Sequence, residues 1–458
     1  MRGGGAGARA LLLAGALAAV SLAALVAIPG AASAYVPRAP ILIVGDAAFT
    51  PANGVTGGSG TPTDPYVIEG WGIDASFATG ISIANTLAHA VIRNVSVSGG
   101  DVTYDGVFLD TVANMVVEGG VFVGNAYGIV AYASSEVAIV NNRVANSFWE
   151  GILVESSSSA VVRGNDVQLA GVYGIDVFTS ADVEVRDNTA STSAETGIYL
   201  QNVDRVVVSG NNASSNALLG IGLDYASDVT IIDNSLWDNA YGMDLFDSGP
   251  VLARQNTIGR STMEAVSVYY SNNVTIDLNR FVSNEGGLFA SFATDLTVAH
   301  NTFRNNVVQG GDELGTRTAW DRGYPAGGNF WSDYTGVDLC SGAGQDVCTG
   351  PDGIGDTPYA VDPDTVDRYP LMATPAFMFP GSTASPDIPS MLSPPGAPRG
   401  ALDGTGAHEA PLLSGGTDLR EDTGQTLPPK LGGPTGTAAG SPGSLQRSPD
   451  TRSSVRAF

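Results

Sequence analysis

A unit of 22 or 23 residues recurs along the middle of the chain and constrains the fold more than any other feature of the sequence. Each unit opens on a small residue that is followed by an apolar one. The opening residues are Gly106, Gly128, Gly151, Gly174, Gly197, Gly220, Gly242, Ala265 and Gly287. A fixed period of this length is typical of a repeat architecture, in which each unit packs against its two neighbours.

Each unit contains three short segments in which apolar residues alternate with others. In the unit that opens at Gly220, the apolar residues of the first segment are Ile221 and Leu223, and those of the second are Val229 and Ile231. A period of two is typical of a strand with one buried side. A third, shorter segment of the same kind ends the unit.

Three strands per unit predict an all-β chain folded as a right-handed parallel β-helix of the pectin-lyase-like kind. We expect about ten coils of 22–23 residues, stacked about 4.8 Å apart. Only one proline occurs between residues 65 and 325, which fits backbone that is hydrogen-bonded on both edges. A leucine-rich repeat has a similar period but one strand per unit, and a propeller blade needs about twice the period.

A second set of residues recurs in the same register and consists of asparagines. They are Asn142, Asn165, Asn188, Asn211, Asn234, Asn256, Asn279 and Asn301. Asparagine tolerates the left-handed backbone of a sharp corner, and stacked asparagines can hydrogen-bond to one another along the stack. We therefore interpret this ladder as structural and not as a set of ligands.

Composition divides the chain into five parts. Residues 1–34 have the basic start, apolar run and small-residue cleavage site of a signal peptide. Residues 35–79 are expected to cap the first coil, residues 80–309 to form the coils, and residues 310–373 to cap the last coil with an Asp/Gly-rich loop. Residues 374–458 are rich in Pro, Gly and Ser, which predicts a disordered tail.

These segments and the net charge predict the localisation of the protein and the class of its binding partners. A signal peptide predicts a secreted, extracellular or cell-surface protein, with membrane contact only through an uncleaved signal. Of the net charge of −25, residues 35–373 carry −26, residues 1–34 carry +2 and residues 374–458 carry −1. This charge excludes nucleic acid because like charges repel. We expect a monomer.

The segments that flank the repeats resemble those of a known family. They are FTPANGVTGGSGTPTDPYVIEGWGID at Phe49–Asp74, WDRGYPAGGNFWSDYTGVD at Trp320–Asp338, DGIGDTPYAV at Asp352–Val361 and DRYPL at Asp367–Leu371. Together with the repeats, they resemble secreted archaeal β-helix proteins of the NosD-like family over residues 40–372. That family is grouped with carbohydrate-binding and sugar-hydrolase β-helices.

The resemblance implies the fold more strongly than any function. The partner that we expect is a polysaccharide or another cell-envelope component, on the residues of the first strand described below. The namesake of the family handles copper in the periplasm, and periplasmic copper handling is therefore one alternative function. Copper is the less favoured cofactor, because three His and two Cys offer few soft ligands.

The first strand of each unit supplies the candidate binding residues. Residues two and four positions after the opening residue should point outward, and they are a mixture of acids and aromatics. Rings pack on the C–H surfaces of sugars, and carboxylates accept hydrogen bonds from sugar hydroxyls. We therefore predict a non-catalytic glycan- or surface-binding module. The candidate ligand-binding residues are Asp176, Phe178, Tyr199, Asp224, Asp244, Phe246 and Tyr269.

Two pairs of carboxylates on this surface support an enzymatic alternative. Glu155 and Asp176 form one pair and Asp224 and Asp244 the other, each with Cα atoms expected about 8 Å apart. Carboxyl groups at such separations can hydrolyse a glycosidic bond, so the alternative is a glycoside hydrolase of neutral polysaccharides. A solvated acidic surface explains the same residues, and we favour a protein that is not an enzyme.

The segment after the repeats contains a candidate metal site. Asp338, Asp346, Asp352 and Asp356 are close together in a glycine-rich loop, and carboxylate oxygens on such a loop suit Ca²⁺. Asp-Gly turns explain much of the same pattern without a metal. Calcium is therefore one interpretation of this loop.

Two kinds of covalent modification are predicted. Cys340 and Cys348 lie in the same loop and should form a disulfide bond in an oxidising compartment. Asn94, Asn212 and Asn273 each begin an N-x-S/T sequence, which makes them candidate glycosylation sites.

Overall fold

The computed structural model describes residues 35–376, and these form a parallel β-helix. Three sheets run along a stack of coils, and each coil passes through the first, second and third sheet in turn. Equivalent residues of successive units pair in parallel, for example Ile175 with Ile198 and Ile198 with Ile221. The all-β fold and the 22–23-residue coil predicted from the repeat are confirmed.

The strands have the following bounds. Those of the first sheet are Ile41–Val44, Ile81–Thr86, Val107–Glu118, Ile129–Tyr132, Ile152–Glu155, Tyr173–Phe178, Thr196–Gln201, Leu219–Asp224, Tyr241–Phe246, Glu264–Tyr269, Gly286–Ser291 and Val308–Glu313. Those of the second sheet are Tyr66–Glu69, Ala90–Arg93, the second half of Val107–Glu118, Ser135–Val140, Val161–Arg163, Ala181–Arg186, Asp204–Ser209, Ser227–Ile232, Val251–Arg254, Asn272–Asp277 and Thr294–Ala299. Those of the third sheet are Val36–Arg38, Trp71–Asp74, Ser96–Ser98, Val121–Val123, Arg143–Ala145, Asp166–Gln168, Thr189–Ser191, Ser235–Trp237, Thr257–Gly259, Arg280–Val282, Thr302–Arg304 and Phe330–Trp331.

The remaining elements lie outside the three sheets. The short 3₁₀ helices Asp46–Ala48 and Pro51–Asn53 follow the first strand of the first sheet. Strands Tyr359–Ala360 and Val366–Asp367 form an antiparallel pair near the C-terminal end of the described chain.

The core is built from the alternating apolar residues that define the repeat. Ile221 and Leu223 of the first sheet and Ile231 of the second point inward and are fully buried. Because each coil places the same positions inside, the interior is a set of continuous apolar stacks. Burial of these stacks is the main favourable term for folding, at roughly 25 cal/mol for each Å² of apolar surface.

The asparagine ladder lies at the corner between the second and third sheets and is hydrogen-bonded as predicted. Each side-chain Nδ2 donates to the Oδ1 of the next ladder asparagine at 3.0–3.1 Å, as from Asn211 to Asn234 and from Asn234 to Asn256. The same Oδ1 also accepts the backbone N–H of the preceding asparagine. Asn329 continues the ladder beyond the last repeat by accepting from Asn301.

The expected left-handed backbone is not at the ladder asparagines but one residue earlier. Asp187 has a φ of 55° and Asp233 a φ of 58°, whereas Asn188 and Asn234 do not have a positive φ. The reason is the direction of the side chain. Each ladder side chain must turn inward to reach a carbonyl of the preceding coil, such as Asn188 Nδ2 to Val162 O at 2.9 Å, so the preceding residue makes the turn.

The segment 35–79, expected to close the N-terminal end, also forms a coil of its own. Its strands pair with those of the next coil in all three sheets. The loop after the first of these strands folds over the open end, where Phe49 and Val55 are buried with the core. Trp71 Nε1 donates to the carbonyl of Gly54 at 2.8 Å and ties this loop to the coil.

Aromatic packing closes the C-terminal end. Trp320 and Trp331 are buried, and Trp331 stacks on Phe303 of the last complete coil with the ring centroids 4.2 Å apart. Arg368 and the buried Asp321 form a bidentate ion pair, with Nε–Oδ2 at 2.9 Å and Nη2–Oδ1 at 2.6 Å. These contacts join residues 320–331 to residues 367–369.

Two predicted segments lie outside the described residues. They are the signal peptide at 1–34 and the tail, of which only residues 374–376 are described. Within the described range, no helix is long and apolar enough to cross a membrane.

Candidate functional site

The outer surface of the first sheet carries three rows of side chains. The rows hold the residue before each opening glycine and the residues two and four positions after it. The parallel register makes residues of one row direct neighbours, as with Asp176 and Tyr199 in one row and Phe246 and Tyr269 in another. The outward direction predicted for the second and third rows is therefore confirmed by the pairing and by the burial of the intervening positions.

Tyr199 organises the middle of this surface. Its hydroxyl donates a hydrogen bond to Asp224 Oδ2 of the next coil. Its ring lies over Gly222, where an added Cβ would come within 2.9 Å of Tyr199 Cδ2, and it contacts the ring of Tyr173 with the centroids 4.6 Å apart. The missing side chain at Gly222 therefore makes room for the ring of Tyr199.

This packing divides the candidate ligand-binding residues into covered and accessible ones. Asp176 and Asp224 are only 8% and 7% exposed, and Tyr199 is buried with them. The accessible residues are Phe178, Asp244, Phe246 and Tyr269, all of which are half-buried or exposed.

Both predicted catalytic pairs contain one covered carboxylate. Glu155 is half-buried beside Phe178, and its partner Asp176 is covered. Asp244 is half-buried, and its partner Asp224 is covered and accepts the hydrogen bond from Tyr199. The register places each pair diagonally across two neighbouring strands, as the sequence predicts.

The row before the opening glycines belongs to the same surface, and sequence analysis missed it. Tyr173 of this row contacts Tyr199, and Leu219 lies against Gly222. The missed signal is that acids and aromatics recur there in register, at Glu150, Tyr173, Tyr241 and Glu264. A strict period of two assigns this row to the interior, whereas Tyr173 contacts Tyr199 on the outer surface.

Exposed aromatics at the corner after this surface were missed as well. Tyr225, Tyr270 and Phe292 follow the last outward residue of their strands, and they pack on one another and on Phe246. Their signal in the sequence is an aromatic residue five positions after the opening residue in three of the last units.

The charged side chains of this surface are acidic. Between residues 105 and 291, its three rows contain several carboxylates and no Lys, Arg or His. The arginines of the neighbouring coils pair elsewhere, as Arg260 does with Asp238 and Arg205 with Asp182. A negatively charged polymer would therefore be repelled from this surface.

A comparison with protein families finds one match. Residues 66–242 and 173–336, together more than half of the chain, match the model of the family described as periplasmic copper-binding protein (NosD). The chain belongs to the NosD family. A comparison with curated proteins finds no match.

Solved structures with a similar fold include epimerases and a surface adhesin. The A-module of the mannuronan C-5 epimerase AlgE6 from Azotobacter vinelandii aligns with a TM-score of 0.51 and 13% identity, over 62% of this chain and 90% of that chain. A double mutant of the periplasmic alginate epimerase AlgG aligns with a TM-score of 0.45 and 16% identity, over 62% and 84%. The surface adhesin PfbA of Streptococcus pneumoniae aligns with a TM-score of 0.39 and 9% identity, over 66% and 86%. At these identities, the epimerase module supports the fold alone.

The described residues of this NosD protein do not fit a copper site. Cys340 and Cys348 are joined in a disulfide bond. His89 follows a strand of the second coil and His300 lies in one of the last coils, where its ring binds Asp277 and a backbone carbonyl. Between residues 35 and 376, no group of three or more His, Cys, Asp or Glu is arranged to hold a metal ion.

The carboxylates of the predicted calcium loop are bonded to the backbone of the loop. Asp338 accepts the backbone N–H groups of Asp352 and Gly353 at 3.0 and 2.8 Å. Asp356 Oδ1 accepts the N–H of Cys340 at 3.0 Å, and Asp346 is exposed. These contacts stabilise the loop by themselves, and calcium binding by the four residues stays a prediction.

The three candidate glycosylation sites are accessible. Asn94, Asn212 and Asn273 are all exposed, and each lies at or beside a corner of the β-helix. Their modification stays a prediction.

Proposed function

We propose that this NosD family member is a non-catalytic module at the outer side of the cell envelope, where it binds a polysaccharide on the outer surface of the first sheet. The observation that carries the proposal is the row in which Phe246 and Tyr269 are direct neighbours, with Asp244 two residues before Phe246 on the same strand. Rings pack on sugar C–H groups, and a carboxylate accepts sugar hydroxyls. A rigid sheet holds these groups in place before the ligand arrives.

The packing of the carboxylates favours binding over hydrolysis. A catalytic carboxyl group must touch either the glycosidic oxygen or the anomeric carbon. Asp176 and Asp224 are covered, so neither predicted pair offers two carboxyl groups to one sugar. We therefore prefer a binding module to a glycoside hydrolase.

The charge of the surface supports a neutral or cationic polysaccharide. Mannuronan and alginate are the polymers named for the similar epimerase structures. Such uronate polymers are anionic, and an acidic surface would repel them. The family description, periplasmic, supports a location outside the cytoplasmic membrane.

Affinity electrophoresis against a panel of neutral, cationic and anionic polysaccharides tests the proposal. We expect retardation by a neutral or cationic polymer, weakened at least about fivefold by Tyr269→Ala and by Asp244→Ala, since each removed contact contributes about 1–3 kcal/mol. Phe148→Ala is the matched control, because Phe148 is an exposed aromatic at a different corner. Binding that both test variants retain in full would contradict the proposal.

Two further measurements separate the alternatives. Release of reducing ends from any polymer of the panel would establish a glycoside hydrolase instead. Metal analysis of the purified protein would show copper for the copper-handling alternative, or calcium for the loop at Asp338–Asp356.

A further inference from the structure

A ridge of aromatic side chains follows the corner between the first and second sheets over the last coils. We define the aromatic ridge as Tyr225, Phe246, Tyr270 and Phe292. Tyr270 and Phe292 are stacked with their centroids 4.8 Å apart, and Phe246 contacts both Tyr225 and Tyr270 edge to face at 5.8 and 6.0 Å. Tyr225, Tyr270 and Phe292 are 41–52% exposed, which makes the ridge a row of rings in contact with solvent, with the exposed Asp247 at the corner position between Tyr225 and Tyr270.

The corner itself does not require aromatic residues. Tyr225, Tyr270 and Phe292 have φ values of 51–54°, a left-handed conformation that is unusual for bulky side chains. Other coils use small or polar residues in the same position and conformation, namely Thr111, Ala133, Ser156, Thr179, Asn202 and Asp247. Since these residues make the same turn, the rings serve another purpose, and exposed apolar rings in a row are typical of a docking surface.

The ridge leads to the end of the stack where the described chain stops. Leu314 continues it in the last coil and is highly exposed. The closing segment contacts this end directly, because Asp362 Oδ2 accepts the backbone N–H of Asp312 at 2.8 Å. From Asp362 the closing segment crosses the same end of the stack, where the backbone N–H of Leu371 donates to the carbonyl of Asn329 at 2.8 Å. The last described residue is Ala376, so the next part of the chain starts at the end of the stack to which the ridge leads.

The sequence after Ala376 has the composition that such a ridge would bind. Residues 377–395 read FMFPGSTASPDIPSMLSPP, with five prolines, two phenylalanines and one charged residue. Pro-rich segments are extended before they bind, and they dock on rows of aromatic side chains. At about 3.1 Å per residue, the segment is longer than the four coil spacings, about 20 Å in total, that the ridge and Leu314 cover.

We propose that residues 377–395 dock along the aromatic ridge of the same chain. Because the segment is tethered at the same end of the stack as the ridge, its effective concentration there is about millimolar, and a weak contact suffices to hold it. The docked segment would lie beside the proposed polysaccharide surface and would border it at Phe246. The docking does not depend on that function and can be measured without any polysaccharide.

Limited digestion of the full chain with chymotrypsin tests this proposal with an internal reference. Phe377 and Leu392 are cleavage sites within the segment, because neither is followed by proline, and Leu412 lies further along the tail. We expect cleavage at Phe377 and Leu392 to be at least about tenfold slower than at Leu412. Equal rates at all three sites would overturn the proposal.

Variants show whether the ridge is the cause of the protection. Tyr270→Ser combined with Phe292→Ser should raise the cleavage rates at Phe377 and Leu392 to that at Leu412. Phe148→Ser combined with Trp149→Ser, at the corner between the third and first sheets, is the matched control and should leave the protection unchanged. Protection that survives the ridge variant would overturn the proposal.

A change in the segment itself makes the result independent of the stability of the ridge variant. Phe377→Ser combined with Phe379→Ser alters only residues beyond the described part of the chain, and it should speed cleavage at Leu392 about tenfold. An unchanged rate at Leu392 would count against docking. Protection that disappears on dilution would show that a second copy supplies the segment, which also overturns the intramolecular proposal.

Discussion

Asp367 accepts, through Oδ2, a hydrogen bond of 2.7 Å from the backbone N–H of Asn329, the last residue of the asparagine ladder. The same oxygen accepts Trp331 Nε1 at 2.8 Å, and Oδ1 accepts the backbone N–H of Tyr369 at 3.0 Å. Asp367 is fully buried. One carboxylate therefore joins the ladder, the closing tryptophan and the end of the closing segment.

This carboxylate should make the stability of the protein depend on pH. Burial raises the pKa of Asp367 to about 6, although the hydrogen bonds from Asn329, Trp331 and Tyr369 act in the opposite direction. The folded state then binds a proton more tightly than the unfolded state, whose Asp has a pKa near 4. The free energy of unfolding should fall by about 3 kcal/mol as the pH rises from about 4 to about 6.

Urea unfolding at a series of pH values measures this dependence. Asp367→Asn removes the titrating group and should flatten the curve between pH 4 and pH 6. Asp364→Asn is the matched control, because Asp364 is exposed in the same loop, and it should keep the slope of the original protein. A slope that Asp367→Asn leaves unchanged would show that another group causes it.

The asparagine ladder should contribute strongly to stability. Asn211→Ala removes a donor to Val185 O and an acceptor for both the N–H and the Nδ2 of Asn188. Because these partners are buried, their loss should lower the free energy of unfolding by about 2–4 kcal/mol. Asn212→Ala is the control, since the neighbouring Asn212 is exposed, and its effect should stay below about 0.5 kcal/mol. Equal effects of the two changes would contradict this role of the ladder.

The repeat predicted the coil because a single physical rule, burial of alternating side chains, acts in every unit. The inward positions, such as Ile175 and Val177, are fully buried. The ladder could be predicted for a similar reason, because identical residues in a parallel stack meet their own copies. The sequence could not show which residue of the corner takes the left-handed backbone, since Asp187 and Asn188 both tolerate it.

The candidate site was predicted only in part because its accessibility depends on neighbours in three dimensions. The outward positions of Asp176 and Asp224 follow from the period of two. Their low exposure does not follow from this period, because it depends on the ring of Tyr199, which reaches across to the next coil over Gly222. The role of Asp367 was also not predictable, since the closing segment has no repeat that fixes its register.

Gly222 should be required for the arrangement of Tyr199. In Gly222→Ala, the added Cβ would lie 2.7 Å from Leu219 Cδ1 and 2.9 Å from Tyr199 Cδ2, so the ring must move and its hydroxyl should lose Asp224. Overpacking of this kind costs about 1–3 kcal/mol, which thermal unfolding measures. Gly57→Ala is the control, because no atom lies within 4 Å of its added Cβ. An unchanged melting temperature for Gly222→Ala would mean that the packing around Tyr199 accommodates the added methyl group without strain.

His300 should add a second pH dependence at the same end of the β-helix. Its Nδ1 lies 2.8 Å from Asp277 Oδ1 and its Nε2 lies 3.0 Å from the carbonyl oxygen of Ala326 in the closing segment, and the doubly protonated ring can donate to both. The hydrogen bond with Asp277 raises the pKa of His300 above its usual 6.5, against the opposing effects of burial and of Arg322. A raised pKa means that the stabilisation is complete below pH 6.5 and is lost as the pH rises through the folded-state value. His300→Ala should therefore lower the free energy of unfolding by about 1–2 kcal/mol at pH 6 and by less at pH 9. Urea unfolding at the two pH values measures this difference. An equal decrease at both pH values would show that the ring acts only by packing.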